Sequence, residues 1–241
     1  MYKPPKITRF ESTLIAVTDL TTSVKEFIFS VPQEFIFVPG QFATILFEAD
    51  GKKYRRPYSI ASTPDEAKQK NQIRLCIKEV SGGPGTVYLW SKKIGDKINM
   101  MGPLGVFVVK EEHKNGPLVL ISTGTGVAPF TSIISDLLSN GFKHEIILFA
   151  GYRHEPLYHA QLLELQNEYS NFKYTPILSQ PIDTNWNGKR GRVQEHINAE
   201  IADGFAANYY ICGLYEMIEQ TARVLVNKKI PRENIHFERY D

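Results

Sequence analysis

From Pro117 onward, short apolar runs that read as strands alternate with runs that carry helical spacing. "PLVLIST" is followed by "APFTSIISDLLSNG", which stops at Gly141. Then come "EIILFAGY", "LYHAQLLELQNEY", "KYTPILS", "RVQEHINAEI", "NYYICG" and "YEMIEQTARVLVNKK". Alternating strands and helices imply βαβ units, with the strands parallel in a sheet covered on both faces. Residues 1 to 114 follow another grammar. "TLIAVTDL", "VKEFIFSV", "QFATILFE", "QIRLCIKEV" and "DKINMMG" are rich in β-branched and aromatic residues and are parted by Gly, Pro, Asp and Asn. Such runs predict an antiparallel barrel or sandwich. One helix interrupts them, "TVYLWSKK" after "GGPG", while "TPDEAKQKNQ" reads as a polar loop. The chain therefore reads as two domains, 1–114 and 115–241, with "EEHKNGP" as the linker.

Composition narrows the function classes. The 28 Lys and Arg are spread along the chain and nearly balanced by 26 Asp and Glu, so nothing points to nucleic acid. The 2 cysteines, Cys76 and Cys212, read as a reduced intracellular chain rather than a disulfide framework. They also exclude an iron–sulfur cluster held by this chain alone, which takes about four thiolates. The first residues, "MYKPPKITRF", lack an apolar signal core, and no run approaches the ~18 apolar residues of a membrane span. A cytoplasmic monomer without a membrane span is expected. The 6 histidines show no metal-ligand spacing, so no metal site is expected. Trp90 and Trp186 read as packing or loop anchors.

Two stretches carry phosphate chemistry. "TGTGVAP", residues 123 to 129, stands between the first strand of the second half and a helix. Its glycines permit close approach of the backbone to a phosphate, and the helix start supplies free N–H groups. It is not the full G-x-G-x-x-G fingerprint, because Pro129 stands near the last position. "SGGPGTVYLW", residues 81 to 90, is a second glycine-rich lead into a helix. There Thr86 reads either as a helix cap or as a hydroxyl for a phosphate. Two such turns in two domains point to two nucleotides.

Between them stands "RRPYSIAST", residues 55 to 63. With "GGPGT", "GPLGVF", "TGTGVAP", "YICG" and "FERY" in this order, the chain resembles the ferredoxin–NADP reductase superfamily over essentially its whole length. In that superfamily R-x-Y-S is the flavin signature and G-T-G-x-A-P the nicotinamide dinucleotide signature. The resemblance implies a flavin-binding β-barrel followed by a Rossmann-like nucleotide-binding domain. It implies FAD, held by Arg56, Pro57, Tyr58 and Ser59 and by the loop Gly83, Gly85 and Thr86. Arg56 would take the pyrophosphate, Tyr58 would pack on the flavin ring, and Ser59 would bond its N5. It implies NADPH or NADH at Thr123, Gly124, Thr125 and Gly126, with Cys212 and Gly213 near the nicotinamide. Ser59, Cys212 and Glu238 are the implied catalytic residues. The implied reaction passes hydride between nicotinamide and flavin N5, and single electrons to or from a separate carrier such as ferredoxin or flavodoxin. Two other readings stay open: a reductase of free flavin, and an electron-transfer subunit of a larger oxygenase or dehydrogenase.

Two departures matter. Plant-type members carry Ser-Arg where this chain has Ser179-Gln180, which puts the 2′-phosphate of NADP in question. The surrounding cations Arg153, Lys189, Arg190 and Arg192 lean the reading to NADPH. At the other end, "NIHFERYD" alternates like a strand, and Glu238 and Tyr240 keep the spacing of the family's terminal Glu and Tyr. Tyr240 is expected to cover the flavin face where nicotinamide lands. Here, however, Asp241 follows it.

Overall fold

The structure, a computed structural model, describes residues 5–240. It divides into two compact units, one running up to Val108 and including Ala128–Asp136, the other comprising Val109–Val127 and Leu137–Asp241. Asp241 itself lies outside the described residues.

The first unit is an antiparallel six-stranded sheet: β1 (Thr8–Thr21), β2 (Val24–Ser30), β3 (Phe42–Ala49), β4 (Lys52–Ser59), β5 (Gln72–Lys78) and β6 (Lys97–Leu104). The order is β4-β3-β6-β1-β2-β5. An antiparallel bridge from Ile60, just past β4, to Leu75 in β5 joins the two edges, so the sheet closes as a barrel rather than a sandwich. Alternation along each strand turns Leu14, Phe27, Phe29, Ile45, Leu75 and Ile98 into one core. Phe27 and Trp90 stand 5.4 Å apart there, so Trp90 is core packing.

Two local expectations fail in this unit. "TPDEAKQKNQ" is not a loop: Pro64–Lys70 form a helix, α1. Thr63 and Glu66 make a reciprocal capping box, the Thr63 hydroxyl accepting from the Glu66 amide at 3.1 Å and the Glu66 carboxylate from the Thr63 amide at 3.0 Å. The second helix, α2, spans Pro84–Trp90 and starts earlier than predicted, because Pro84 is preset for a first helical turn. Gly83 is therefore the N-cap, and Thr86 lies inside the helix.

The second unit is a parallel sheet of β7 (Leu118–Thr123), β8 (Ile146–Tyr152), β9 (Phe172–Leu178), β10 (Lys189–Arg190), β11 (Asn208–Gly213) and β12 (Ile235–Arg239), in the order β10-β9-β8-β7-β11-β12. Its helices are α4 (His159–Glu168), α5 (Val193–Glu200) and α6 (Tyr215–Asn227), while α3 (Ala128–Ser139) is counted with the first unit as far as Asp136. α5 and α6 bury Val193, Ile197, Met217, Ile218 and Leu225 against Val119, Ile121, Phe149 and Ile211. "EEHKNGP" contains a 3₁₀ turn, Glu111–Asn115. Chain order reverses its direction across the sheet between β7 and β11. Ligands of open α/β sheets bind beyond the carboxyl ends of the strands at such a switch point. No helix among the described residues is long and apolar enough to cross a membrane.

Candidate functional site

In the first unit the flavin-signature residues lie on β4. Strand alternation puts Tyr54, Arg56 and Tyr58 on one side, with Arg56 opposite Ile45 and Tyr58 opposite Ala43 of β3. Pro57 faces the other way and is exposed. Ser59 closes the strand and is buried. The Arg56 guanidinium lies 5.2 Å from the Tyr54 ring centre and makes no ion pair among the described residues. Burial pushes the Tyr58 hydroxyl up to about 12, only partly offset by the neighbouring Arg56 charge. The "GGPGT" loop meets this strand at Gly85. A Cβ there would stand 2.9 Å from the Tyr58 hydroxyl and 3.2 Å from Cγ of Arg56. Glycine is thus favoured by close approach, and a loop distant in sequence meets the two strand residues in one place.

Thr86 is buried, and its hydroxyl accepts a hydrogen bond from the Val80 amide at 3.0 Å. It pins the loop rather than capping α2. The Arg56 guanidinium donates a hydrogen bond to the Arg55 carbonyl at 3.1 Å. This set suits a flavin dinucleotide: a guanidinium without an acid partner among the described residues, an aromatic ring, a buried hydroxyl, and a glycine that leaves room beside them.

In the second unit, Thr123 ends β7, and Gly124, Thr125, Gly126 and Val127 form a 3₁₀ turn before α3. Gly124 has φ +54°, where glycine is at ease. Gly126 packs directly on the end of β11; a Cβ there would collide with the Cys212 carbonyl and stand 3.2 Å from the Gly213 nitrogen. Gly213 in turn leaves only 2.6 Å between a Cβ of its own and the Thr123 hydroxyl. The turn and the "YICG" segment are therefore one feature at the switch point, with the bare backbone a pyrophosphate needs. Ser122, opposite Cys212 in the β7–β11 register, was missed by sequence reasoning. Its hydroxyl is buried and has no hydrogen-bond partner among the described residues.

The tail belongs to the same place. β12 pairs in parallel with β11, setting Glu238 opposite Cys212 and Arg239 opposite Gly213. The Tyr240 amide donates to the Gly213 carbonyl at 3.0 Å. Burial raises the Cys212 thiol well above its ordinary value, the Glu238 charge raises it further, and a hydrogen bond with Tyr240 partly offsets both. Burial and the Glu238 charge both favour the protonated thiol.

The cations near the adenosine end separate on inspection. Lys189 pairs with Glu200. Arg190 donates to the Trp186 carbonyl at 3.1 Å, which makes Trp186 a loop anchor. Arg192 precedes α5, and its amide donates to the Glu195 carboxylate at 3.2 Å. Arg153 follows β8 and donates from Nε to the Gln180 side-chain oxygen at 3.0 Å. No group of three His, Cys, Asp or Glu among the described residues is placed to hold a metal.

Comparison with known proteins agrees with this geometry. The oxidoreductase FAD-binding domain model matches residues 11–109, and the oxidoreductase NAD-binding domain model matches residues 120–223. Ferredoxin–NADP reductase B of Sorangium cellulosum is 31% identical over 243 residues, covering 96% of this chain and 98% of that protein. The ferredoxin–NAD(P)+ reductase component of the naphthalene 1,2-dioxygenase system of Pseudomonas putida is 30% identical, over 95% of this chain and 68% of that protein. Among solved structures, the Amycolatopsis cytochrome P450 reductase GcoB superposes with a TM-score of 0.88 at 25% identity, over 97% of this chain and 70% of that one. The Neisseria gonorrhoeae ferredoxin NADP+ reductase shares the fold, with a TM-score of 0.81 at 20% identity, over 97% of this chain and 99% of that one. A barrel with a flavin signature, a parallel sheet with a dinucleotide turn, and a relative matched end to end lead to one conclusion: the chain belongs to the ferredoxin–NADP reductase superfamily of FAD- and NAD(P)-binding oxidoreductases.

Proposed function

We propose that this protein is an NAD(P)H-dependent reductase of a small, separate electron-carrier protein of the ferredoxin or flavodoxin type, acting as a cytoplasmic monomer. Bound FAD supplies a centre that exchanges hydride at N5 with a nicotinamide and electrons singly with a carrier. The observation that carries the reading is the convergence of Arg56, Tyr58 and Gly85, because a flavin that merely diffuses through needs no pyrophosphate cradle.

The roles of the residues follow from their chemistry. Arg56 binds the flavin pyrophosphate through its guanidinium, and Gly85 leaves room for it. Tyr58 orients the flavin ring by packing on it. Ser59 holds a proton donor at the atom that receives hydride. Thr123 to Gly126 bind the pyridine nucleotide through backbone N–H groups. Cys212 offers a neutral surface to the nicotinamide. Glu238, beside that thiol, is the group able to move a proton there. Tyr240 excludes water from the place beside Cys212 and must leave it when nicotinamide enters. The lean to NADPH rests on Arg153.

Purified protein decides between the readings. Stoichiometric FAD on the protein, with NAD(P)H-driven reduction of ferredoxin or flavodoxin, is the expected result. A colourless protein that reduces added riboflavin would replace this reading with a free-flavin reductase. Tight FAD with turnover only in the presence of an oxygenase would make it that enzyme's electron-transfer subunit, as the relatives' names describe for those proteins.

A further inference from the structure

We propose that Gln180 is a positioning residue that aims Arg153 at the ribose 2′-phosphate of NADP(H), so that Arg153 and Gln180 together select the phosphorylated nucleotide. The proposal deepens, and rests on, the reading of the second unit as the NAD(P)H domain. Sequence alone counts Gln180 against NADP, because it stands where related chains carry an arginine. The structure gives it a different part.

Beyond the ends of β8 and β9 the parallel ladder continues for two more residues. The Ser179 amide donates to the Tyr152 carbonyl at 3.0 Å, and the Gln180 amide donates to the Arg153 carbonyl at 2.7 Å. His154 closes the third side: its Nδ1 stands 2.7 Å from the Gln180 carbonyl, which can only accept, so Nδ1 carries the proton. The amide and the carbonyl of Gln180 are therefore both engaged, one by the Arg153 backbone and one by the His154 ring, which holds the residue in place. From that seat its side-chain oxygen takes the Arg153 Nε–H at 3.0 Å. A guanidinium has no acceptor, so the amide oxygen, not its nitrogen, must face it.

The choice of atom has a consequence. Engaging Nε leaves the two terminal nitrogens of Arg153 as a planar fork, the geometry that matches a phosphate with two parallel bonds. The amide is neutral, so it orients the cation without cancelling its charge. The Gln180 side-chain nitrogen keeps donor protons for the same anion. The location fits. β8 is the neighbour of β7, which carries the dinucleotide turn. In such sheets the residue following that second strand reads the 2′ position: an acid for a hydroxyl, an arginine for a phosphate. Here Tyr152-Arg153-His154 occupies that place, and the next acid, Glu155, comes after them. Among the neighbouring cations Lys189 pairs with Glu200 and Arg190 donates to the Trp186 carbonyl, whereas Arg153 stands directly after β8 and is held by a neutral partner.

The test uses the FAD-loaded protein and two fragments that undergo no chemistry, adenosine 2′,5′-bisphosphate and adenosine 5′-monophosphate, in calorimetric titrations. Two charge-assisted bonds predict that wild type binds the bisphosphate at least about tenfold more tightly. Arg153→Ala should bring the ratio of the two affinities close to one. Gln180→Leu should lower it at least about threefold, roughly the worth of one lost orienting bond. The double variant should be no worse than Arg153→Ala alone, since an aiming residue has nothing left to aim. Gln180→Glu keeps an acceptor but adds a negative charge, and should lower the ratio at least as far as Gln180→Leu; it serves if the leucine variant fails to fold. The NADPH to NADH ratio of kcat/KM should move in parallel. A wild-type ratio near one overturns the 2′-phosphate assignment as a whole. Loss in Arg153→Ala with both Gln180 variants unchanged overturns the positioning role alone. Failure of both fragments to bind overturns the nucleotide reading of the second unit as well.

Discussion

At the scale of single residues, the site is built by removing atoms as much as by adding them. Gly85 and Gly126 each stand where a Cβ would meet another part of the site. Charge supplies the rest. Arg56 has no acid partner among the described residues, so a phosphate would be its counter-ion. Arg56→Ala should therefore weaken FAD binding by about 10–100-fold, the worth of lost charge-assisted hydrogen bonds, measured by fluorescence on flavin release. An unchanged FAD affinity would remove Arg56 from the site. Tyr240 makes a different point. Its side chain hydrogen-bonds Cys212 and its backbone amide the Gly213 carbonyl, where the proposed function would put nicotinamide. Tyr240→Ser should change the flavin absorption spectrum and lower the KM for the nicotinamide nucleotide. If neither moves, the residue is only the end of a strand.

At the scale of elements, the informative case is α1. Its start is written in the sequence as Thr63-x-x-Glu66 with Pro64 at the first helical position, and reading the stretch only as polar composition misses it. The helix also ties into the barrel: Arg74 of β5 bridges Glu66 at 3.2 Å and the buried Glu26 of β2 at 3.3 Å. Thr63→Ala should cost about 1 kcal/mol of stability in denaturant unfolding, the usual worth of a lost N-cap. No change in the midpoint would mean that packing, not capping, sets α1. The turn after β7 gives the companion case. Gly126→Ala forces a methyl into the Cys212 carbonyl, and overpacking of this kind costs about 1–3 kcal/mol. The expected outcome is an NAD(P)+ affinity at least about tenfold weaker, with FAD retained, read by titration. Wild-type affinity would show that the turn has room to spare.

At the scale of the whole molecule, stability should depend on pH through a half-buried imidazole pair. His113, in the 3₁₀ turn before β7, stacks on His236 of β12 with ring centres 4.5 Å apart, and its Nδ1 lies 2.6 Å from the Tyr210 hydroxyl. Burial, helped by the His113 and Lys110 charges, pushes His236 down to about 4. Burial lowers His113 as well, against the pull of Glu112. The folded state thus binds fewer protons than the unfolded chain, whose imidazoles titrate at about 6.5. Stability from this source is whole above that value and is lost as the pH falls from about 6.5 towards about 4. Thermal unfolding should show a falling midpoint across that window, and His236→Phe should flatten it. A variant with the same slope as wild type would place the acid sensitivity elsewhere.

Much of this protein was legible in its sequence, because much of it is local. Periodicity of two or of 3.6 residues, glycine turns and breakers act over a few residues, so they determined that a strand-rich half precedes alternating strands and helices. The R-x-Y-S and T-G-T-G stretches pointed to FAD and NAD(P) through their resemblance to one family, taken together and in order. What the tertiary structure alone decided is which distant residues meet. Sheet order and register brought Gly85 to Arg56, Gly126 to Cys212, Glu238 to the same thiol, and Gln180 to Arg153. No local propensity encodes those meetings. They depend on which strands lie side by side when two cores close, and only the folded chain specifies that.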